Sequence, residues 1–106
     1  MNFPQTVALD VTQDDILLGE TAADSQDYEP KWECPIAWAM YRAFPGCEVG
    51  VTREYIAVHE VRKDGYGYSS CYYHVPTTAG DFMQDFDDNK TVTPLAFTMT
   101  MMVDWS

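Results

Sequence analysis

Val7, Leu9 and Val11 alternate with Thr6, Asp10 and Thr12 along TVALDVT. That period of two predicts a half-buried strand. In TQDDILLG, Thr12 stands three residues before Asp15, the form of a capping box, which predicts a short helical turn ended by Gly19. Residues 20–33, ETAADSQDYEPKWE, show no periodicity and predict a long acidic loop. Residues 35–44 then place Ile36, Ala39, Met40, Ala43 and Phe44 at i, i+3, i+4, i+7 and i+8, the apolar face of a helix. Trp38 and Tyr41 widen that face and only Arg42 is charged, so protein should cover much of the circumference. Pro35 suits the first helical position, where its missing N–H costs nothing, and Pro45-Gly46 is the stop.

Three strands are expected next: EVGVT, YIAVHEV and YSSCYYHV, with Asp64-Gly65 as the hairpin signal between the last two. Pro76 breaks the β pattern, and TTAGDFMQDFDDNK predicts a second helix. Its apolar positions are Ala79, Phe82, Met83 and Phe86, and Thr78 with Asp81 resembles another capping box. LAFTMTMMV closes the pattern as a strand, with Leu95, Phe97, Met99, Met101 and Val103 on one face. The expected fold is a single α+β domain over residues 1–106. Its order is β-α-β-β-β-α-β, with a largely antiparallel sheet and two helices on one face of a two-layer structure.

Charge changes the picture more than composition does. A hydrophobic content of 46% is ordinary and supports a core, whereas the net charge of −11 is not ordinary. Residues 1–33 hold eight acids against one base and residues 64–106 hold six against one, while residues 34–63 are nearly neutral. Such a field repels nucleic acid and anionic membrane and favours a basic partner. The three cysteines, Cys34, Cys47 and Cys71, form no disulfide framework. MNFPQTVALD lacks the basic and apolar regions of a signal peptide, and no apolar run has membrane-spanning length. A soluble protein of a reducing compartment is expected.

Candidate chemistry is sparse. Cys34 precedes a helix, where the macrodipole favours a thiolate, but Glu33 and the acidic stretch before it oppose one. Cysteine catalysis also needs a base, and only His59 and His74 are present. Cys34 is therefore expected to be a structural residue at the helix start. Asp85-Phe-Asp87-Asp-Asn89 begins like a calcium loop, but Lys90 and Ala96 stand where that loop needs Gly and Glu, so a solvated helix end is expected. The histidine and cysteine spacings lack the HExxH and CxxC patterns of zinc sites, and His59 is expected to pack beside Tyr55, Ala57 and Val61. Gly65-Tyr66-Gly67 is a turn rather than a phosphate cradle. No cofactor, metal site or catalytic group is expected. The candidate partner-binding residues are the helix acids Asp81, Asp85, Asp87 and Asp88, the loop acids Asp24, Asp27 and Glu29, and the tyrosines Tyr66 and Tyr68. Tyrosines on an open sheet face, Tyr72 and Tyr73 among them, suit a protein contact.

Taken together, VTQDDILLG, ECPIAWAMYRAFPG, EVGVTREYIAV and FMQDFDDNKTVTPLAF resemble a family of small uncharacterised phage-encoded proteins. Its members share a C-P-I/V-A-x-A motif with an R-A-x-P-G helix end, matched here by Cys34, Pro35, Ile36, Ala37, Ala39, Arg42, Ala43, Pro45 and Gly46. A later F-x-x-x-F-D segment and a V-x-P-x-x-F strand are matched by Phe82, Phe86, Asp87, Val92, Pro94 and Phe97. The resemblance implies a phage origin and a shared fold, and no activity. With the acidic ends, it leads to the expectation of a non-enzymatic accessory protein in the cytoplasm of an infected cell. Such a protein would inhibit a host nucleic-acid enzyme or a defence complex in an anti-CRISPR-like manner, by covering a basic surface without binding nucleic acid itself. A self-associating virion or assembly protein and a small cysteine-dependent enzyme are the alternatives. The sequence leaves the oligomeric state open.

Overall fold

The computed structural model describes residues 3–61 and 68–104. The elements run β1 (Thr6–Val11), α1 (Gln13–Ala23), α2 (Pro30–Glu33), α3 (Pro35–Ala43), β2 (Glu48–Val51), β3 (Tyr55–Val61), β4 (Tyr68–His74), α4 (Thr77–Asp87) and β5 (Leu95–Asp104). The strands form one sheet in the order β1-β5-β4-β3-β2, and every neighbouring pair is antiparallel. The α+β class is as expected, but among the described residues there are four helices rather than two.

The alternation in β1 is realised as strictly alternating exposure and burial. Its register sets Val7 opposite Met99 and Leu9 opposite Phe97, so both strands turn their apolar sides to the same core. The same face continues through Tyr73 opposite Ile56, and Cys71 opposite Val58. Tyr73 has no exposed surface, and its hydroxyl donates to the Pro4 carbonyl oxygen at 2.8 Å. It therefore belongs to the core and not to an open tyrosine face, because adjacent strand residues point to opposite sides. The other face carries Thr98 and Thr100 of β5, and the half-buried Tyr55, His59 and Tyr72 of β3 and β4.

Two helix starts show how local chemistry decided the outcome. The capping box before α1 is complete: the Asp15 N–H donates to Thr12 Oγ1 at 3.3 Å, and the Thr12 N–H donates to the Asp15 carboxylate at 2.9 Å. The expected box at Thr78 and Asp81 does not form, because Pro76 is the N-cap of α4 and both residues lie inside the helix. Nor does α1 stop at Gly19. It runs to Ala23, and a Cβ at residue 19 would lie 2.6 Å from Pro35 Cδ. Gly19 is thus the contact that lets α1 approach α3, not a terminator.

The expected 20–33 loop is correspondingly shorter. Residues 20–23 finish α1 and Pro30–Glu33 form α2, which leaves 24–29 outside any helix. Pro30 and Pro35 each occupy the first turn of a helix. α3 ends as the Pro-Gly signal predicts, with Gly46 at φ 81°. The hairpin signal Asp64-Gly65 lies outside the described residues, but β3 and β4 pair antiparallel on either side of it.

α3 carries the centre of the core: Ile36, Ala37 and Met40 have no exposed surface. Burying each side chain of the Ile or Met kind contributes about 1.5–3 kcal/mol. α3 also touches both β1 and β2, the two edges of the sheet. A nine-residue helix is only about 13 Å long. Flat, the edges of five strands stand about 19 Å apart. Contact with both therefore requires the sheet to curve around α3.

Candidate functional site

The segments that carry the expected partner-binding acids approach each other, and of those acids Asp24 lines the cleft between them. α1 ends at Ala23, which delivers Asp24 and the 24–29 segment, and α4 ends at Asp87. An open cleft of about 530 Å³ lies between them, lined by Glu20 and Asp24 from the first segment and by Phe86, Asn89 and Lys90 from the second. Tyr28 ties them together on another side. Its hydroxyl is out of solvent, and its ionisation is pushed well above the usual tyrosine range by burial and then by the negative fields of Cys34, Asp87, Glu33 and Glu29. Groups distant in sequence, Glu29 and Asp87, therefore bear on the same side chain.

The individual acids differ. Asp87 pairs with Arg53 at 3.3 Å and Asp85 with Lys90 at 3.6 Å, so part of their charge is locally neutralised. Asp88 accepts from Gln84 Nε2 at 2.9 Å, a neutral donor. Asp24, Asp27, Asp81 and Asp88 are exposed, and none has a cation partner among the described residues. Glu29 is half-buried, with its N–H donating to Glu33 Oε1 at 2.9 Å. Tyr66 lies outside the described residues, and Tyr68 opens β4 opposite Val61.

The calcium-like run is a helix end. Asn89 adopts φ 61°, and the Lys90 N–H reaches back to the Asp85 carbonyl at 2.9 Å, as a left-handed C-cap requires. Among the described residues no set of three His, Cys, Asp or Glu side chains is arranged to hold a metal ion.

Cys34 caps α3 and keeps 6% of its surface exposed. Burial pushes its thiol up to about 11, Asp87 adds to the effect, and the N–H groups of Ala37 and Ile36 oppose it only in part. Desolvation thus outweighs the helix N-terminus, and the thiol is protonated at neutral pH. The negative neighbour that raises it is Asp87, across the fold, rather than the adjacent Glu33. His59 is on the sheet face away from this core, with Nδ1 2.6 Å from Ser70 Oγ and its ring against Tyr72, and His74 is exposed. The structure does not bring either histidine to Cys34.

Sequence reasoning missed several exposed apolar residues. Leu17, Leu18 and Trp32 are each about half exposed. α1 buries Asp15, Ile16 and Gly19, which turns the adjacent Leu17 and Leu18 outward. The absence of a clear apolar stripe in QDDILLGETAA was the available signal. Along the outer face of α1, Asp14, Leu17, Thr21 and Asp24 follow one another at helical spacing. Trp32 sits in α2, between Glu29 and Glu33.

The elements define a mixed α+β protein with exposed acids on α4 and on the 24–29 segment and exposed apolar side chains on α1 and α2. Compared with known proteins, the chain matches no family model, no curated protein and no solved structure. No helix among the described residues is long and apolar enough to cross a membrane.

Proposed function

We propose that this is a non-enzymatic protein-binding module that covers a basic surface on a nucleic-acid enzyme or defence complex of an infected cell. The observation that supports this assignment is that Asp24, Asp27, Asp81 and Asp88 are exposed together with the apolar Leu17 and Trp32, and that Asp24 lines the open cleft between α1 and the segment after α4. Acid alone serves solubility. Acid around outward-facing Trp and Leu has the composition of a contact surface, in which the aromatic supplies affinity and the charges supply steering and register. The resemblance to small phage-encoded proteins is consistent with a task of this kind. An array of carboxylates also presents to a basic groove the same sign of charge as a phosphate backbone.

The test compares capture from host lysate by the wild-type protein and by a variant carrying Asp24→Lys, Asp27→Lys, Asp81→Lys and Asp88→Lys. The expected result is a captured nucleic-acid-binding protein whose affinity falls at least tenfold for each close charge pair lost. It should fall further between 0.1 and 1 M salt, as the screening length shrinks from about 10 Å to about 3 Å. A variant that retains the same partner with unchanged affinity overturns the electrostatic assignment.

A further inference from the structure

Between α3, β2 and α4 lies a second cavity, of about 170 Å³. Its walls include Cys34, Ile36, Val51, Phe82, Met83 and Phe86. The polar groups at its edge are already engaged. Thr52 Oγ1 donates to the Tyr55 carbonyl at 2.9 Å and accepts from the Tyr55 N–H at 3.0 Å, and Arg53 is paired with Asp87. A cluster of waters needs two to four polar partners per molecule, which such walls do not offer. An anion meets a paired arginine in a chain of net charge −11. What fits is a neutral apolar body. An apolar cavity of about 150 Å³ is the size that takes up benzene, and Met and Phe walls adapt to a flat ring.

The geometry points to a ligand site for a neutral single-ring aromatic compound with at most one polar atom, held between α3, β2 and α4. One polar atom is admissible because the carboxylate of Asp87, which lines the cavity, keeps acceptor capacity beyond its pair with Arg53. The site adjoins the acidic cleft, sharing Phe86 with it, and Asp87 stands in its wall.

The probes are benzene and phenol, with benzoate as the charged control, titrated into protein labelled with 13C at the methionine methyls. Met83 lines the cavity, while Met102 is exposed and Met99 lies in β5 against Val7, so these two report non-specific effects. The expected result is that benzene and phenol move the Met83 signal to a plateau, that benzoate does not, and that Met99 and Met102 stay in place. Val51→Ile adds one methylene to the wall and should weaken binding roughly tenfold, and Phe86→Trp offers a second way to fill the mouth if the first variant does not fold. The proposal is overturned if Met83 is unmoved at the solubility limit, if it drifts without saturation together with Met102, if benzoate binds equally well, or if a folded cavity-filling variant binds like the wild type.

Discussion

Asp15 is 3% exposed and accepts hydrogen bonds from the Thr12 N–H, the Thr12 hydroxyl and the Arg42 guanidinium. The same Arg42 also donates to the Asp10 carbonyl at 2.7 Å, so one side chain joins the end of β1, the start of α1 and the end of α3. Arg42→Ala leaves a buried carboxylate with only its cap donors, and should destabilise the protein by about 1–3 kcal/mol in urea titration. Arg42→Lys should recover only part of this loss, because an ammonium cannot reach the carboxylate and the carbonyl with separate planar N–H groups. A full recovery would mean that charge alone matters there. Cys34 makes a pH prediction. Its thiol has an ordinary value of 9.0 and about 11 when folded. The unfolded chain therefore releases the proton first, so the stabilisation is complete below pH 9 and is lost progressively up to pH 11. The loss from this thiol is about 2–3 kcal/mol. Tyr28, Tyr41 and Cys47 are displaced in the same direction by burial. Cys34→Ala should flatten the alkaline decline measured by denaturant unfolding at pH 9 to 11, and an equally steep decline would exclude this thiol as its source.

Two helix glycines make opposite predictions. Gly19→Ala drives a Cβ to 2.6 Å from the Pro35 ring and should cost about 1–3 kcal/mol. Gly80→Ala in α4 meets nothing within 4 Å and should gain about 0.4–1 kcal/mol by restricting the unfolded chain. Thermal unfolding of the two variants side by side checks both signs, and a neutral Gly19→Ala would show that α1 is free to shift away from α3. Gly19 also marks the limit of what the sequence made legible. The five strands and the helices at 35–43 and 77–87 follow from periodicity and Pro/Gly punctuation, because each buries one face in a common core. α1 was misjudged at its end, since a glycine that stops a helix and one that admits a neighbour look the same until the neighbour is placed. α2 is a single turn, too short to show a period. Of the site, the acids were legible as charge and Cys34 as a helix-start residue. The Asp87–Arg53 pair joins residues 34 apart, the cavity joins three separate elements, and the exposure of Leu17 and Leu18 depends on which face of α1 the fold selects.

At the scale of the whole molecule, a net charge of −11 is a self-repulsion that a compact state must hold together. Asp81 and Asp85 lie one turn apart on α4, as do Asp85 and Asp88. Neutralising Asp81 and Asp88 as Asn should therefore raise stability by a few tenths of a kcal/mol per like-charge pair removed, even though the same change should weaken partner binding. Added salt should likewise raise the melting temperature of the wild type, and more than that of the neutralised variant. Equal salt responses would show that the repulsion is not centred on α4. The sheet order has a further consequence for how the protein is made. β1 pairs with β5, Thr6 opposite Thr100, while β2, β3 and β4 pair with near neighbours in sequence. During translation at 5–20 residues per second, β1 leaves the ribosome on the order of ten seconds before the strand it needs. Through that interval Val7, Leu9 and Val11 lack the β5 partner strand, so a chain stalled before residue 95 carries an unpaired, half-apolar strand that chaperones or proteases can seize.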